Sequence, residues 1–248
     1  MTKYLLVLLL LCHFTSSWGQ HFNAAYGQPV VVLYETNPWL MVVGSDVPSF
    51  VLYENGQIIY KQVSDKKIKI VEVKHDRDQT QAIIKTLGIT DSLLNERPVI
   101  EASTATDQPD NILLLNFGKV KQIQVYGSLR NVQSDARAKT PKDFLNVYDR
   151  LIHFEDQAAR EWLPDTVEVM ATAYGHSPEK PLKWNTTWND LRSPTTVKRN
   201  ENLYSIYLPK SQFSDLLKLI KSMKEKQAVE INGEKYSLSY RLPFPNLR

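Results

Sequence analysis

Ser49-Phe50-Val51-Leu52-Tyr53-Glu54-Asn55-Gly56-Gln57-Ile58-Ile59-Tyr60-Lys61-Gln62-Val63 is the stretch on which the fold class turns. Two β-forming runs, 49–54 and 57–63, flank Asn55-Gly56. Asn-Gly suits a type I′ turn because both central residues take positive φ. Phe50, Leu52, Ile58 and Tyr60 alternate with other residues, as a half-buried hairpin requires. Lys67–Val73 alternates in the same way and extends the sheet on one side. On the other, Pro29–Thr36 is a β-branched run stopped by Asn37-Pro38, and Trp39–Val43 is a shorter apolar run closed by Gly44.

Hairpins recur along the chain. Asn111–Phe117 and Lys119–Tyr126 bracket Gly118. Ala228–Ile231 and Glu234–Arg241 bracket Asn232-Gly233. Thr166–Tyr174 and Leu203–Leu208 read as further strands. Helical stripes lie between them. Asp78 fits an N-cap with Gln81 completing a capping box, Ile83, Ile84 and Leu87 form the stripe, and Gly88 fits the stop. Thr140 caps a second helix with Pro141 at its first position and Phe144, Leu145, Tyr148, Leu151 and Ile152 on one face. That pattern runs on toward Trp162 before Pro164 ends it. Ser211 opens a third helix carrying Phe213, Leu216, Leu217, Ile220 and Met223. Asn95–Asp110 and Gly175–Thr196 read as connections, and the tail Leu242–Arg248 as loose or laid on the surface. The expectation is an α+β protein with a mainly antiparallel sheet built from hairpins and about three amphipathic helices. It forms a single domain or two closely packed subdomains, with the polar segment Arg130–Lys139 as the place for a split.

The run Pro48-Ser49-Phe50-Val51-Leu52-Tyr53-Glu54-Asn55-Gly56 resembles a Pro-x-Phe-x-Leu-Tyr-x-(Asp/Asn)-Gly hairpin of uncharacterised secreted bacterial proteins. In those chains a strand and a short helix follow it, here matched by Lys67–Val73 and Gln79–Leu87. The resemblance covers about the first third of the chain beyond its leader. It implies a bacterial exported protein and brings no active-site residues with it.

The first nineteen residues read as a secretory signal peptide. Lys3 supplies positive charge, Tyr4–Cys12 is an unbroken apolar run, and Ser17 and Gly19 place small side chains at −3 and −1 for cleavage before Gln20. Acylation of Cys12 is the alternative, disfavoured by Leu11 before it and by its place inside the apolar run. Residues 20–248 then form the working protein, secreted or periplasmic, with no later segment long enough to span a membrane. Cys12 is the single cysteine of 248 residues, which excludes an intramolecular disulfide and a cysteine-based zinc cluster. Cleaved there, the chain is disulfide-free and rests on packing alone. Thirty basic against 27 acidic residues is too balanced to point to nucleic acid.

No Gly-x-Ser-x-Gly, P-loop or dinucleotide fingerprint is present. His75-Asp76-Arg77-Asp78 and His153-Phe154-Glu155-Asp156 are the densest titratable clusters, but neither has metal-ligand spacing, and no metal or cofactor is expected. Lys218, Lys221, Lys224 and Lys226 make the third helix basic. The binding candidate is Lys183-Trp184-Asn185-Thr186-Thr187-Trp188-Asn189, where Trp184 and Trp188 with adjacent amides suit a glycan or a protein partner. Against this stands the reading in which both rings plug a core beneath a long loop. The function expected is a non-catalytic binding or envelope-associated module. The second reading is a secreted hydrolase with dispersed carboxylates and histidines, His153 among them.

Overall fold

The computed structural model describes residues 22–36, 38–39, 46–64 and 67–247. The expected signal peptide, Cys12, the cleavage site and the apolar run after Trp39 lie outside the described residues. Within them, eight strands form one sheet: β1 (Pro29–Glu35), β2 (Phe50–Tyr53), β3 (Gln57–Ser64), β4 (Lys67–Lys74), β5 (Val99–Glu101), β6 (Asp110–Asn116), β7 (Val120–Tyr126) and β8 (Arg160–Glu161). Their order is β5-β7-β6-β1-β2-β3-β4-β8. Six more form a second sheet: β9 (Thr166–Ala173), β10 (Leu182–Lys183), β11 (Val197–Lys198), β12 (Leu203–Pro209), β13 (Val229–Ile231) and β14 (Glu234–Arg241), ordered β10-β13-β14-β9-β12-β11. Neighbours pair antiparallel except β5 with β7 and β10 with β13. Five α-helices complete the described residues: α1 (Arg77–Leu87), α2 (Asp91–Leu94), α3 (Asp135–Lys139), α4 (Lys142–Ile152) and α5 (Phe213–Ser222). The protein is therefore a mixed α and β structure with mostly antiparallel sheets. β5 and β10 lie inside the two segments read as connections.

The founding hairpin forms, but with a different turn. Only Gly56 of the pair takes positive φ, at 82°, and Tyr53 O accepts from Gly56 N at 2.9 Å. This is a three-residue loop, Glu54 to Gly56, in which Gly56 supplies the left-handed bulge position. The two-residue type I′ geometry belongs instead to Asn232-Gly233, where both φ values are positive (52° and 94°) and Ile231 pairs with Glu234. The same dipeptide gives two loops, and different tertiary contacts hold each: Asn232 is bonded to Leu191 N and Asp190. Asn55 Nδ2 donates to Ala25 O at 2.5 Å, Lys74 Nζ donates to Asn55 O, and His75 N donates to Gly56 O at 3.1 Å. A Cβ on Gly56 would stand 2.4 Å from His75 O and 2.7 Å from Thr80 Oγ1, whereas one on Gly233 meets nothing within 4 Å. Gly56→Ala is therefore expected to cost about 2–3 kcal/mol and Gly233→Ala about 1 kcal/mol. Denaturant midpoints of the two variants check the contrast; equal losses would refute it.

Helix boundaries also shift. The N-cap of α1 is Asp76 rather than Asp78: Asp76 Oδ1 accepts from Gln79 N at 2.8 Å, and Gln79 Oε1 accepts from Asp76 N at 3.1 Å. Asp76-x-x-Gln79 and Asp78-x-x-Gln81 share one spacing. The end of β4 at Lys74 and the tether from His75 to Gly56 bend the chain at the earlier pair. Thr140 does not cap α4; its hydroxyl donates back to Ala136 O at 2.7 Å, and the helix starts after Pro141 without a side-chain cap. Nor does α4 reach Trp162. It ends at Ile152, and Phe154 then packs edge-on against Phe50 and Tyr60. Ser211 lies in a short 3-10 turn before α5 and makes no cap.

Three buried clusters follow from these elements. Val31, Leu33, Phe50, Leu52, Ile58 and Tyr60 face α1 to α4 across the first sheet. Ala136 of α3 belongs to this cluster, so 130–139 packs with the first sheet, and the change to the second sheet falls after Trp162. Val167, Val169, Ile206, Leu208 and Leu216 form the core between the second sheet and α5. Val32, Val51, Tyr53 and Ile59 fill the opposite face of the first sheet with Trp162 and Phe244. The hairpin expected to be half-buried is thus buried on both faces. The tail, expected to be loose or laid on the surface, packs on the sheet and covers its second face. Asn246 donates to the carbonyls of Asn23 and Gly27 at 2.9 and 2.7 Å, and Tyr53 OH donates to Pro245 O at 2.9 Å. Trp162 enters the second sheet and Phe244 leaves it; their rings meet edge-on at 5.0 Å, closing that excursion onto the first sheet.

Candidate functional site

One end of the first sheet opens into a cleft of about 780 Å³. It lies where β1 ends at Glu35, β2 begins after Ser49, and the far half of β3 carries Lys61. The loops before β6 and after β7 bring in Asp107 and Arg130. Burial pushes the Glu35 carboxyl up, but its donors outweigh this and hold it below its ordinary value. Arg130 donates through Nε at 2.8 Å and Nη2 at 2.5 Å, Ser49 Oγ at 2.5 Å and Tyr148 OH at 2.7 Å. Four hydrogen bonds occupy the carboxylate, so Glu35 orients Arg130 and is poorly suited to accepting a proton. The Tyr148 hydroxyl is raised by burial and by the Glu35 charge beside it.

Lys61 sits differently. Burial pulls its ammonium below the usual lysine range. Glu35 and Asp46 attract it, yet no carboxylate oxygen among the described residues comes within ion-pair reach of it. At the cleft's edge, Trp39 is 75% exposed, and Val63 and Ile68, paired across β3 and β4, are 63% and 66% exposed. The cleft thus combines a poorly solvated cation, the guanidinium of Arg130 and an apolar, aromatic rim. Glu35, Ser49, Lys61, Arg130 and Tyr148 come from separate segments across 113 positions, from Glu35 to Tyr148. No local spacing announces them.

The residues singled out from the sequence lie elsewhere. Trp184 and Trp188 are 7% and 8% exposed and meet edge-on at 4.9 Å within the second-sheet core. Trp184 Nε1 donates to Asn189 O at 2.9 Å. Their ring faces are taken up by packing rather than presented to a ligand. His153 does not join Asp156; its Nδ1 lies 2.8 Å from Asp149 O. Asp156 is met by His75, whose Nε2 stands 3.1 Å from Oδ2 without hydrogen-bond geometry. The two titratable clusters therefore converge through one member each, as a strut between α1 and the segment after α4. Among the described residues no group of three or more His, Cys, Asp or Glu could hold a metal ion. On α5 and beyond, Lys218 pairs with Asp215 at 2.8 Å and Lys224 with Glu179 at 3.6 Å, which blunts the basic face. No described helix is long and apolar enough to cross a membrane. Compared with protein-family models, curated proteins and solved structures, the chain matches none.

Proposed function

We propose that this chain is an exported, non-catalytic binding protein of the bacterial envelope whose cleft takes an acidic saccharide. The observation that carries the reading is Lys61: a desolvated ammonium in a ligand-sized cleft, with no carboxylate of the described residues at contact distance. A bound carboxylate would give this ammonium a partner through a charge-assisted hydrogen bond. Arg130, fixed by Glu35 and half-exposed, offers a second donor to the same kind of group. Trp39 at the rim gives a sugar ring an aromatic face. Export rests on the leader reading of residues 1–19.

Titration calorimetry with trigalacturonate and its methyl ester tests this, since the two differ in charge on one ring framework. The acid is expected to bind, the ester at least tenfold more weakly, and Lys61→Gln to lose tenfold or more for the acid. The pH dependence has a defined sign. Lys61 carries its charge below its own pKa, which burial lowers, so affinity falls as pH rises through that pKa, at a lower pH than for an ordinary lysine. Equal binding of acid and ester, or an unaffected Lys61→Gln variant, refutes the proposal.

A further inference from the structure

A second space lies on the other face of the first sheet. It is a cavity of about 310 Å³, room for about ten water molecules at ~30 Å³ each. Its floor is the pairing of Val32 with Leu114 and of Tyr34 with Ile112 across β1 and β6. Its roof is the C-terminal tail, through Phe244 and Leu247. Ile112 and Leu114 are only half-buried although apolar, because the tail bridges over them without filling the space. Burying that surface against a ligand is favourable.

One end of the cavity is polar, and its charges are of both signs. Asp46 and Arg241 both line it. Tyr34 OH donates to the backbone carbonyl of Asp46 at 2.8 Å, and Arg241 Nε donates to the buried Glu168 at 2.6 Å. A carboxylate ligand would face Asp46 and an ammonium ligand would face Arg241. Each would also lose its hydration in an otherwise apolar space. A neutral molecule with one hydroxyl or carbonyl meets neither cost and still finds polar partners. We infer that this cavity is a binding site for a small, neutral, largely apolar ligand, held beneath the C-terminal tail and sharing only Asp46 with the lining of the Lys61 cleft.

The test uses 2-naphthol and 2-naphthoate as probes at neutral pH, where the first is neutral and the second anionic. Both offer the same ring system. Binding of 2-naphthol to the full chain is expected by calorimetry, with 2-naphthoate at least tenfold weaker. Ile112→Phe and Leu114→Phe, which fill the space from the sheet, are expected to weaken 2-naphthol at least tenfold while keeping the wild-type melting midpoint. No binding of 2-naphthol, equal binding of both probes, or binding that survives in a folded, filled variant overturns the inference. Should both variants fail to fold, the comparison of the two probes on the wild-type chain decides it.

Discussion

Trp184→Ala is expected to lower the melting temperature by about 10 °C. The ring is 7% exposed and packs among Trp188, Val229 and Ile231 over the second sheet. Removing a buried tryptophan costs about 4 kcal/mol, the lost transfer energy plus the hole left behind. For a chain of this length each kilocalorie is worth about 2–4 °C. The edge-on contact with Trp188 at 4.9 Å adds a coupling of about 1 kcal/mol, readable in a double-mutant cycle with Trp188→Ala. Trp184→Phe separates the terms, since it keeps most of the packing and removes the donor to Asn189 O, for about 1 kcal/mol beyond the volume change. A Trp184→Ala variant melting within about 3 °C of wild type would mean that the loop carries no core. It would restore these rings as ligand candidates.

Phe244→Ala is the second large effect, at about 4 kcal/mol. Phe244 is 3% exposed and lies on Trp162 at the point where the second-sheet segment begins and ends. Without the ring, Val32, Val51 and Ile59 lose part of their cover, and the hydrogen bond from Tyr53 to Pro245 loses its anchor. Two readouts are expected together: a fall in denaturant midpoint and faster carboxypeptidase trimming of residues 243–248. Tyr53→Phe removes only the hydrogen bond and is expected to cost about 1 kcal/mol. If Phe244→Ala keeps the wild-type midpoint, the tail does not hold the first sheet's second face.

Local signals carried much of the architecture. Alternation along Phe50 to Tyr60, the two Asn-Gly pairs and the break at Gly118 each named a hairpin that forms, because strand pairing between neighbours is set by side-chain period and turn residues close in sequence. The stripes on α1, α4 and α5 were visible for the same reason. What alternation cannot report is whether a strand's second face meets water or another layer. Val51 and Ile59 look like outward positions until Trp162 and Phe244, more than a hundred residues later, cover them. The shift of the N-cap from the expected Asp78 to Asp76 was likewise decided from outside the helix, by the bond between His75 and Gly56.

The candidate sites were still less legible. Two tryptophans four residues apart drew attention because they are close in sequence, and the fold buries both. Lys61 stood in the quoted hairpin from the start, as one more alternating residue. Its surroundings come from Glu35, Asp46 and Arg130, which sheet pairing alone brings near it. By itself the sequence determined strands, hairpins, apolar helix faces and a chain without a disulfide, since these depend on residue type and on neighbours within a few positions. Only the tertiary structure decided which faces are dry, which cation has no carboxylate of the described residues at contact distance and where the described residues leave empty space. Desolvation is a property of everything packed around a group, and those groups are distant along the chain.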